Sequence, residues 1–297
     1  MKAERTALVS QIVAIGVAIV IAAAGSHGGQ RVAGVPVFAL CIAVAFAVQW
    51  IVFIPAYMLR TERFFDLTGG LTYILVVSIA LALTPPLDAR SGLLWLLVVV
   101  WAGRLATFLF ARVRRAGKDS RFDDLKSTFL RFLNVWTIQG LWVSLTLAAA
   151  LAAITSMTPT SAMALDGFTV AGLIVWGVGF AFEAVADNQK RRFRADPANH
   201  DRFISTGLWA WSRHPNYFGE IVLWTGIAIV AVPALSGWQW VTLISPVFVY
   251  VLLTRISGIP LLEKKADATW GGQIAYERYK AETPVLVPRP PRRGIHG

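Results

Sequence analysis

Long apolar stretches constrain the fold of this chain more than any other feature. Of its 297 residues, 56% are hydrophobic, and a water-soluble domain of this length cannot bury so much apolar surface. Eight stretches are long enough to cross a bilayer as helices, and they cover residues 7–25, 35–58, 67–84, 92–111, 133–156, 167–186, 216–233 and 238–262. Because backbone polar groups in lipid must be paired within each helix, the sequence predicts an all-α, polytopic membrane bundle.

Basic residues are distributed unevenly between the loops that join these spans. The net charge is +11. In an eight-span arrangement nearly all loop Lys and Arg residues fall on one side, and the other side has only Arg31 and Arg90. This asymmetry predicts that both termini are cytoplasmic. Topology and contact with anionic membrane lipids account for the surplus, so nucleic acid is not an expected partner.

We expect a single integral membrane domain. Its parts are N-terminal spans (1–60), a core (61–290) and a tail (291–297). Small residues favour close helix packing within it, and they include the Ala-rich segment 143–153, Gly172, Gly177 and Gly179. The single cysteine, Cys41, excludes a disulfide framework, and the four histidines lack metal-ligand spacing, so no metal site is predicted.

Both ends of the chain contain recognisable patterns. Residues 1–24 have the charge pattern of a signal peptide, but their apolar run is long for that role. We therefore expect a retained span and eight helices, whereas cleavage would leave seven. Residues 264–280 are expected to form a short interfacial helix broken at Gly271–Gly272, and the Pro-rich segment 284–291 is expected to be irregular.

Charged residues lie at helical spacing across the end of the sixth span. Glu183, Asp187, Lys190, Arg191 and Arg194 are three, four or seven residues apart and share one helix face. Carboxylates accept hydrogen bonds from ribose hydroxyls or an amide, and guanidinium groups hold phosphate. The alternative is a stop-transfer boundary with internal salt bridges. Because Glu183 lies deeper in the span, its burial needs a further explanation.

The segment 207–220 (GLWAWSRHPNYFGE) places polar residues at the mouth of the seventh span. Pro215 suits a first helical turn, so the free N–H groups of that turn face the basic loop and favour an anion. His214 can donate to a phosphate or carbonyl, and Asn216 and Glu220 share a helix face. The alternative is that these residues cap the helix and that Glu220 pairs with an arginine.

Three further charged residues lie within or at the edge of spans. Arg255 in the eighth span needs a partner, for which Glu220, Glu263 or a ligand phosphate could serve, or else it extends to the interface. Asp66 begins the third span, and Arg104 lies within the fourth. In an apolar pocket Asp66 would keep its proton and act as a donor. Alternatively it caps its helix, and Glu62, one turn earlier, is the competing candidate.

Together these residues resemble the steroid 5α-reductase family, most closely its bacterial branch of uncertain substrate. The matching segments are EAVADNQ at 183–189, GLW at 207–209, SRHPNYFGE at 212–220 and SGIPLLE at 257–263. The resemblance covers roughly residues 60–290. It implies a helical bundle whose cytoplasmic half binds NADPH. The implied reaction is reduction of a C=C bond conjugated to a carbonyl in a steroid-, isoprenoid- or enoyl-lipid-like substrate.

The resemblance and the spacing together assign roles to particular residues. The expected cofactor-binding set is Glu183, Asp187, Arg191, Arg194, Arg213, His214, Asn216, Tyr217, Glu220, Arg255, Glu263 and Arg104. Asp66 is the expected catalytic carboxylate, with Tyr73 or Trp101 helping to stabilise the enolate oxygen. Trp101 occupies the family's tyrosine position, the carboxylate is Asp rather than Glu, and the family's C-terminal histidine is absent. An indole N–H donates a hydrogen bond but does not readily release its proton.

Two other functions remain open. Isoprenylcysteine and phospholipid methyltransferases, which use S-adenosylmethionine, look similar around Arg213-His-Pro-x-Tyr and the later glutamate, and they need no proton donor. A non-catalytic transport or lipid-binding protein is the second alternative, and it would have polar residues along a path across the bilayer. The expected location is a bacterial inner membrane with the active site on the cytoplasmic side. The sequence leaves the substrate and the oligomeric state open.

Overall fold

The computed structural model describes residues 2–116, 122–158 and 166–291. Its helices are α1 (Lys2–Gly25), α2 (Val37–Met58), α3 (Phe65–Ala82), α4 (Ala89–Ala116), α5 (Phe129–Thr155), α6 (Gly167–Ala195), α7 (Pro215–Ala231), α8 (Ile244–Val251), α9 (Ile259–Trp270) and α10 (Ile274–Glu282). A short antiparallel hairpin, β1 (Arg31–Val32) and β2 (Val35–Pro36), joins α1 to α2. The all-α prediction is therefore confirmed, with this hairpin as a minor addition.

Eight helical segments within the described residues are long and apolar enough to cross a membrane. They are Ala3–Gly25, Val37–Met58, Phe65–Ala82, Ala89–Thr107, Phe129–Thr155, Gly167–Ala195, Pro215–Ala234 and Gly237–Trp270. The predicted polytopic bundle and its eight spans are confirmed. The sixth helix extends nine residues beyond the predicted end at 186, to Ala195, because its charged residues are good helix formers and continue the helix past the apolar stretch.

The described chain forms two compact units. Unit 1 consists of Met1–Val170 and Ile227–Ser245, and unit 2 consists of Ala171–Gly226 and Pro246–Gly297. The single-domain assignment made from the sequence stays a prediction. Cytoplasmic placement of the termini also stays a prediction.

The core of unit 1 is built around α5. Residues Leu147–Leu151 of this helix are fully buried, and α1, α2 and α3 all pack against it. A Cβ at Gly140 of α5 would lie 3.2 Å from the ring of Phe46 on α2. The small residues of α5 therefore allow close helix packing, as the Ala-rich segment predicted.

At one end of unit 1, an arginine joins three segments of the chain. Arg90 is 4% exposed and donates to the backbone carbonyl of Val230 at 2.9 Å and to Asp166 at 2.7 Å. Arg90, with the Thr169 N–H, lowers the pKa of Asp166 to about 2. Arg90 thus has a structural role in addition to its value as a topology marker.

In unit 2, glycines bring α6 and α7 into backbone contact. A Cβ at Gly179 would lie 2.6 Å from the carbonyl of Gly219, and a Cβ at Gly226 would lie 2.7 Å from the carbonyl of Gly172. The helices are antiparallel, and glycines seven residues apart line their contact. This confirms the expectation for Gly172 and Gly179. The expectation for Gly177 is wrong: a Cβ there meets nothing within 4 Å, since this position points away from the contact.

The C-terminal part of the chain contains two helices, α9 and α10, with a break between them. α9 ends at Trp270 and α10 begins at Ile274, so the predicted break at Gly271–Gly272 is present. Asp267 of α9 accepts hydrogen bonds from Tyr276 at 2.8 Å and from Lys280 at 2.6 Å. These contacts between side chains close the corner between α9 and α10.

Candidate functional site

One face of α6 changes from buried acids to exposed bases. Glu183 and Asp187 are 2% and 7% exposed. Arg191 and Arg194, one to two turns later, are exposed. The Lys190 ammonium lies 4.2 Å from the centre of the Trp209 ring. The structure therefore brings together the charged residues that helical spacing placed on one face.

α7 lies against the acidic part of this face. A Cβ at Gly219 would lie 2.5 Å from the backbone nitrogen of Glu183 and 2.9 Å from its Cβ. The next residue, Glu220, is 9% exposed. Because the two helices are antiparallel, Asp187 lies one turn further toward the first turn of α7. Three buried acids thus occur where α6 and α7 are in contact.

A single carboxylate joins the two residues that precede α7. Oε2 of Glu263 accepts from Nη1 of Arg213 at 2.7 Å, and Oε1 accepts from Nε2 of His214 at 2.8 Å. The side chains of Arg213, His214 and Glu263 are 12%, 6% and 23% exposed. Glu263 lies on α9, so this cluster connects α9 to the start of α7.

His214 is held as a neutral ring. Burial lowers its pKa, and the charges of Lys190 and Arg213 act in the same direction, while Glu263 opposes them. A carboxylate needs a donor, so the proton belongs on Nε2 and Nδ1 is an acceptor. This Nδ1 is buried and has no hydrogen-bond partner among the described residues. The sequence predicted a donor to phosphate or carbonyl, whereas this geometry leaves an acceptor.

The remaining candidates of unit 2 have simpler surroundings. Tyr217 stacks on the His214 ring with centroids 5.7 Å apart, and Asn216 is half-buried beside it in the first turn of α7. Arg255 is exposed in a π-helical turn, Leu252–Ile256. It has no ion pair among the described residues, in agreement with the alternative that its side chain extends outward.

Residues of α6 support the turn before α7, and sequence reasoning missed them. The Trp209 indole donates to the Ala186 carbonyl at 3.0 Å, and Gln189 accepts from the Leu208 N–H at 2.9 Å. Gly207 has φ +63, and a Cβ there would lie 2.6 Å from the Gln189 amide. A glycine at this position was the one available signal, because only glycine readily adopts this backbone conformation.

α10 supports the same turn from another direction. The Tyr279 hydroxyl donates to the Trp209 carbonyl at 2.7 Å. Burial raises the pKa of Tyr279, so its hydroxyl keeps its proton and remains a donor at neutral pH. The turn from 207 to 214 is therefore fixed by both α6 and α10.

The candidates in unit 1 form a separate group. Asp66 lies half-buried in the first turn of α3, and Arg104 is half-buried in α4. Tyr73 and Trp101 are buried, and their rings pack edge to face with centroids 5.1 Å apart. The structure thus brings Tyr73 and Trp101 into contact, and their catalytic assignment stays a prediction.

Glu62, the competitor of Asp66, is engaged in an ion pair. It is 4% exposed and accepts from Lys126 at 2.6 Å. Burial alone would lower the pKa of Lys126, but Glu62 and Asp123 raise it. A carboxylate committed to a lysine is a poor proton donor, so this contact counts against Glu62 as the catalytic acid.

Residues 52–283 match the model of a family described as "Protein of unknown function (DUF1295)". The chain belongs to this family. No curated protein and no solved structure matches the chain. The DUF1295 match begins within α2 and includes the candidate residues of both units, and it ends one residue before Pro284.

The described residues contain no group of three or more His, Cys, Asp or Glu side chains that could hold a metal ion. The donor set of unit 2 consists instead of carboxylates, guanidinium groups and one neutral imidazole. These groups fit a polar organic ligand with hydroxyl, amide and anionic parts.

Proposed function

We propose that this protein is an NADPH-dependent membrane reductase acting on a C=C bond conjugated to a carbonyl of a lipophilic substrate. The observation that carries the proposal is the charge gradient along α6. Buried Glu183 and Asp187 lie at one end of the face, and exposed Arg191 and Arg194 lie at the other. This order supports a ligand that has hydroxyl and amide groups at one end and phosphates at the other.

The start of α7 adds groups that fit the same ligand. Its first turn carries the positive end of a helix dipole, which favours an anion. Nε of Arg213 and Nδ1 of His214 are buried and have no hydrogen-bond partner in the part of the chain that the structure describes. One is a donor and the other an acceptor, and a dinucleotide presents both kinds of group.

The proposal keeps Asp66, Tyr73 and Trp101 as the catalytic residues. When bound, a reduced nicotinamide supplies a hydride. Asp66 is assigned to stabilise the developing enolate oxygen. Tyr73, which packs against Trp101, supplies the phenol that is missing at position 101, since an indole does not readily release a proton. The distribution of basic residues supports a cofactor site on the cytoplasmic side of the membrane.

The methyltransferase is the principal competitor. S-adenosylmethionine contains no phosphate, so the α6 face supplies more phosphate-binding groups than this cofactor needs. The reductase uses both ends of the face, and this difference favours the reductase. A transport function would require polar residues along a path across the bilayer.

Titration of the purified protein in lipid nanodiscs tests the proposal. We expect NADPH to bind and S-adenosylmethionine not to bind. Arg194→Ala should weaken NADPH about tenfold more than NADH, because a charge-assisted contact to the 2′-phosphate is worth about 1.5–3 kcal/mol. The matched control is Arg192→Ala, since Arg192 is exposed on the opposite face of α6.

Two other binding results reject the reductase, and a third result rejects only the role of Arg194. Binding of S-adenosylmethionine alone would support the methyltransferase. Binding of neither cofactor would support a transport or lipid-binding role. Equal loss of NADPH and NADH affinity in Arg194→Ala would remove Arg194 from the phosphate site.

A further inference from the structure

The Pro-rich segment after α10 lies against the turn that precedes α7. The Arg213 N–H donates to the Pro284 carbonyl at 2.8 Å, and the Arg289 N–H donates to the Trp211 carbonyl at 2.9 Å. The two segments run antiparallel, because the earlier residue of one pairs with the later residue of the other. Residues 284–289 are called the C-terminal strap below.

A buried serine links the strap to the site. Ser212 is 0% exposed, and its hydroxyl donates to the Leu286 carbonyl of the strap at 2.8 Å. The same oxygen accepts from the His214 N–H at 3.1 Å. One side chain therefore connects the strap to the residue whose ring pairs with Glu263.

The sequence of the strap suits this extended, paired backbone. Pro284 and Pro288 have fixed φ angles and no N–H group, so they favour neither a helix nor a regular strand ladder. They also reduce the conformational entropy that the segment loses on becoming ordered. The strap lies beyond residue 283, where the family match ends.

The turn before α7 needs an external partner. Residues 211–214 lie between a 3-10 turn, Gly207–Ala210, and the start of α7. They have no regular secondary structure to pair their backbone groups. The strap accepts from the Arg213 N–H and donates to the Trp211 carbonyl. Without it, two backbone groups beside the site would lose their partners.

We propose that the C-terminal strap is a positioning element for Arg213 and His214. By fixing the backbone at 211–214, it holds both side chains where Glu263 can bind them, and it thereby sets the affinity of the site for its ligand. The claim that the strap fixes the backbone at 211–214 rests on the hydrogen bonds alone. The part that concerns ligand affinity rests on the proposed function.

A matched pair of variants at Arg289 tests the strap. Arg289→Pro removes the N–H that donates to Trp211, whereas Arg289→Ala keeps the N–H and removes only the exposed guanidinium group. In the full-length protein in nanodiscs, hydrogen–deuterium exchange should be about fivefold faster at 209–214 in Arg289→Pro, since a hydrogen bond is worth about 1 kcal/mol. Arg289→Ala should match the wild type.

Truncation gives a stronger perturbation with its own control. A chain ending at Thr283 loses the whole strap and should exchange at least about tenfold faster at 209–214. A chain ending at Pro291 keeps the strap and should be unchanged. If exchange at 209–214 is the same in all variants, the strap inference is overturned.

NADPH titration of the same variants separates positioning from general stability. We expect the Kd of Arg289→Pro to rise about fivefold, with no matching fall in the thermal unfolding midpoint. Faster exchange with unchanged NADPH affinity overturns the positioning role. If the wild type binds no NADPH and the variants still exchange faster at 209–214, the strap is supported and the reductase is rejected.

Discussion

Replacing Glu263 with glutamine tests whether one carboxylate holds both residues that precede α7. Glu263 accepts from Arg213 at 2.7 Å and from His214 at 2.8 Å. Glutamine has nearly the same shape but offers one acceptor oxygen and one amide donor. Arginine has no acceptor, so Arg213 must take the oxygen. The amide group then faces Nε2 of His214, which donates a proton in the wild type.

The histidine can satisfy this arrangement by moving its proton to Nδ1. Both hydrogen bonds then survive without the negative charge of the carboxylate, and each loses about 1 kcal/mol. The Glu263 side chain is 23% exposed, so solvent screening reduces the total to about 1–1.5 kcal/mol. Glu263→Leu removes both acceptors and leaves the Arg213 guanidinium unpaired, which costs about 3 kcal/mol.

Two measurements check these values. Reversible unfolding in mixed micelles gives the free energy differences, and nitrogen NMR of labelled histidines gives the tautomer of His214. Glu282→Gln is the matched control, because Glu282 is 41% exposed and lies 3.9 Å from Arg278. It should change stability by less than about 0.5 kcal/mol. The reasoning is refuted if Glu263→Gln destabilises as much as Glu263→Leu, or if the His214 proton stays on Nε2.

Three further predictions concern helix packing, pH and catalysis. Gly219→Ala should cost about 2–3 kcal/mol of unfolding free energy, because its Cβ would lie 2.5 Å from the Glu183 nitrogen. Gly177→Ala should be neutral in the same assay. Burial lowers the pKa of His214 below 6.5, so the unfolded chain binds the proton more tightly, and stability should fall as pH drops below this value. His214→Gln should flatten this pH dependence, and parallel unfolding curves would contradict the assignment. Asp66→Asn should lower turnover and leave NADPH affinity nearly unchanged, whereas a collapse in affinity would make Asp66 structural.

The spans were predictable because their signal is local. Each is a run of apolar residues, and the bilayer fixes the length that such a run must have. The face of α6 was predictable for the same reason, since helical periodicity alone places Glu183 and Arg194 on one side. Hydropathy ended the apolar span at 186, whereas the periodicity of the charged residues already indicated that the helix continues, as it does to Ala195.

Contacts between distant residues were not predictable in the same way. Glu263 and His214 are 49 positions apart, and no periodic pattern relates them. The sequence offered Glu263 as one partner for Arg255, but the fold gives it to Arg213 and His214. The Pro-rich segment was correctly predicted to be irregular. Its proline content, however, does not indicate which backbone N–H groups its carbonyls accept from.

Helix packing and topology together do not account for Glu183. A stop-transfer boundary explains Arg191 and Arg194, since basic residues commonly follow a span. A close helix contact explains Gly179 and Gly219, since small residues let backbones approach. Neither explanation requires a 2% exposed glutamate in that contact, because a small residue would also let the two backbones approach. Gly219 accommodates Glu183 at the cost of helix propensity, so two residues of this contact depart from what packing alone favours.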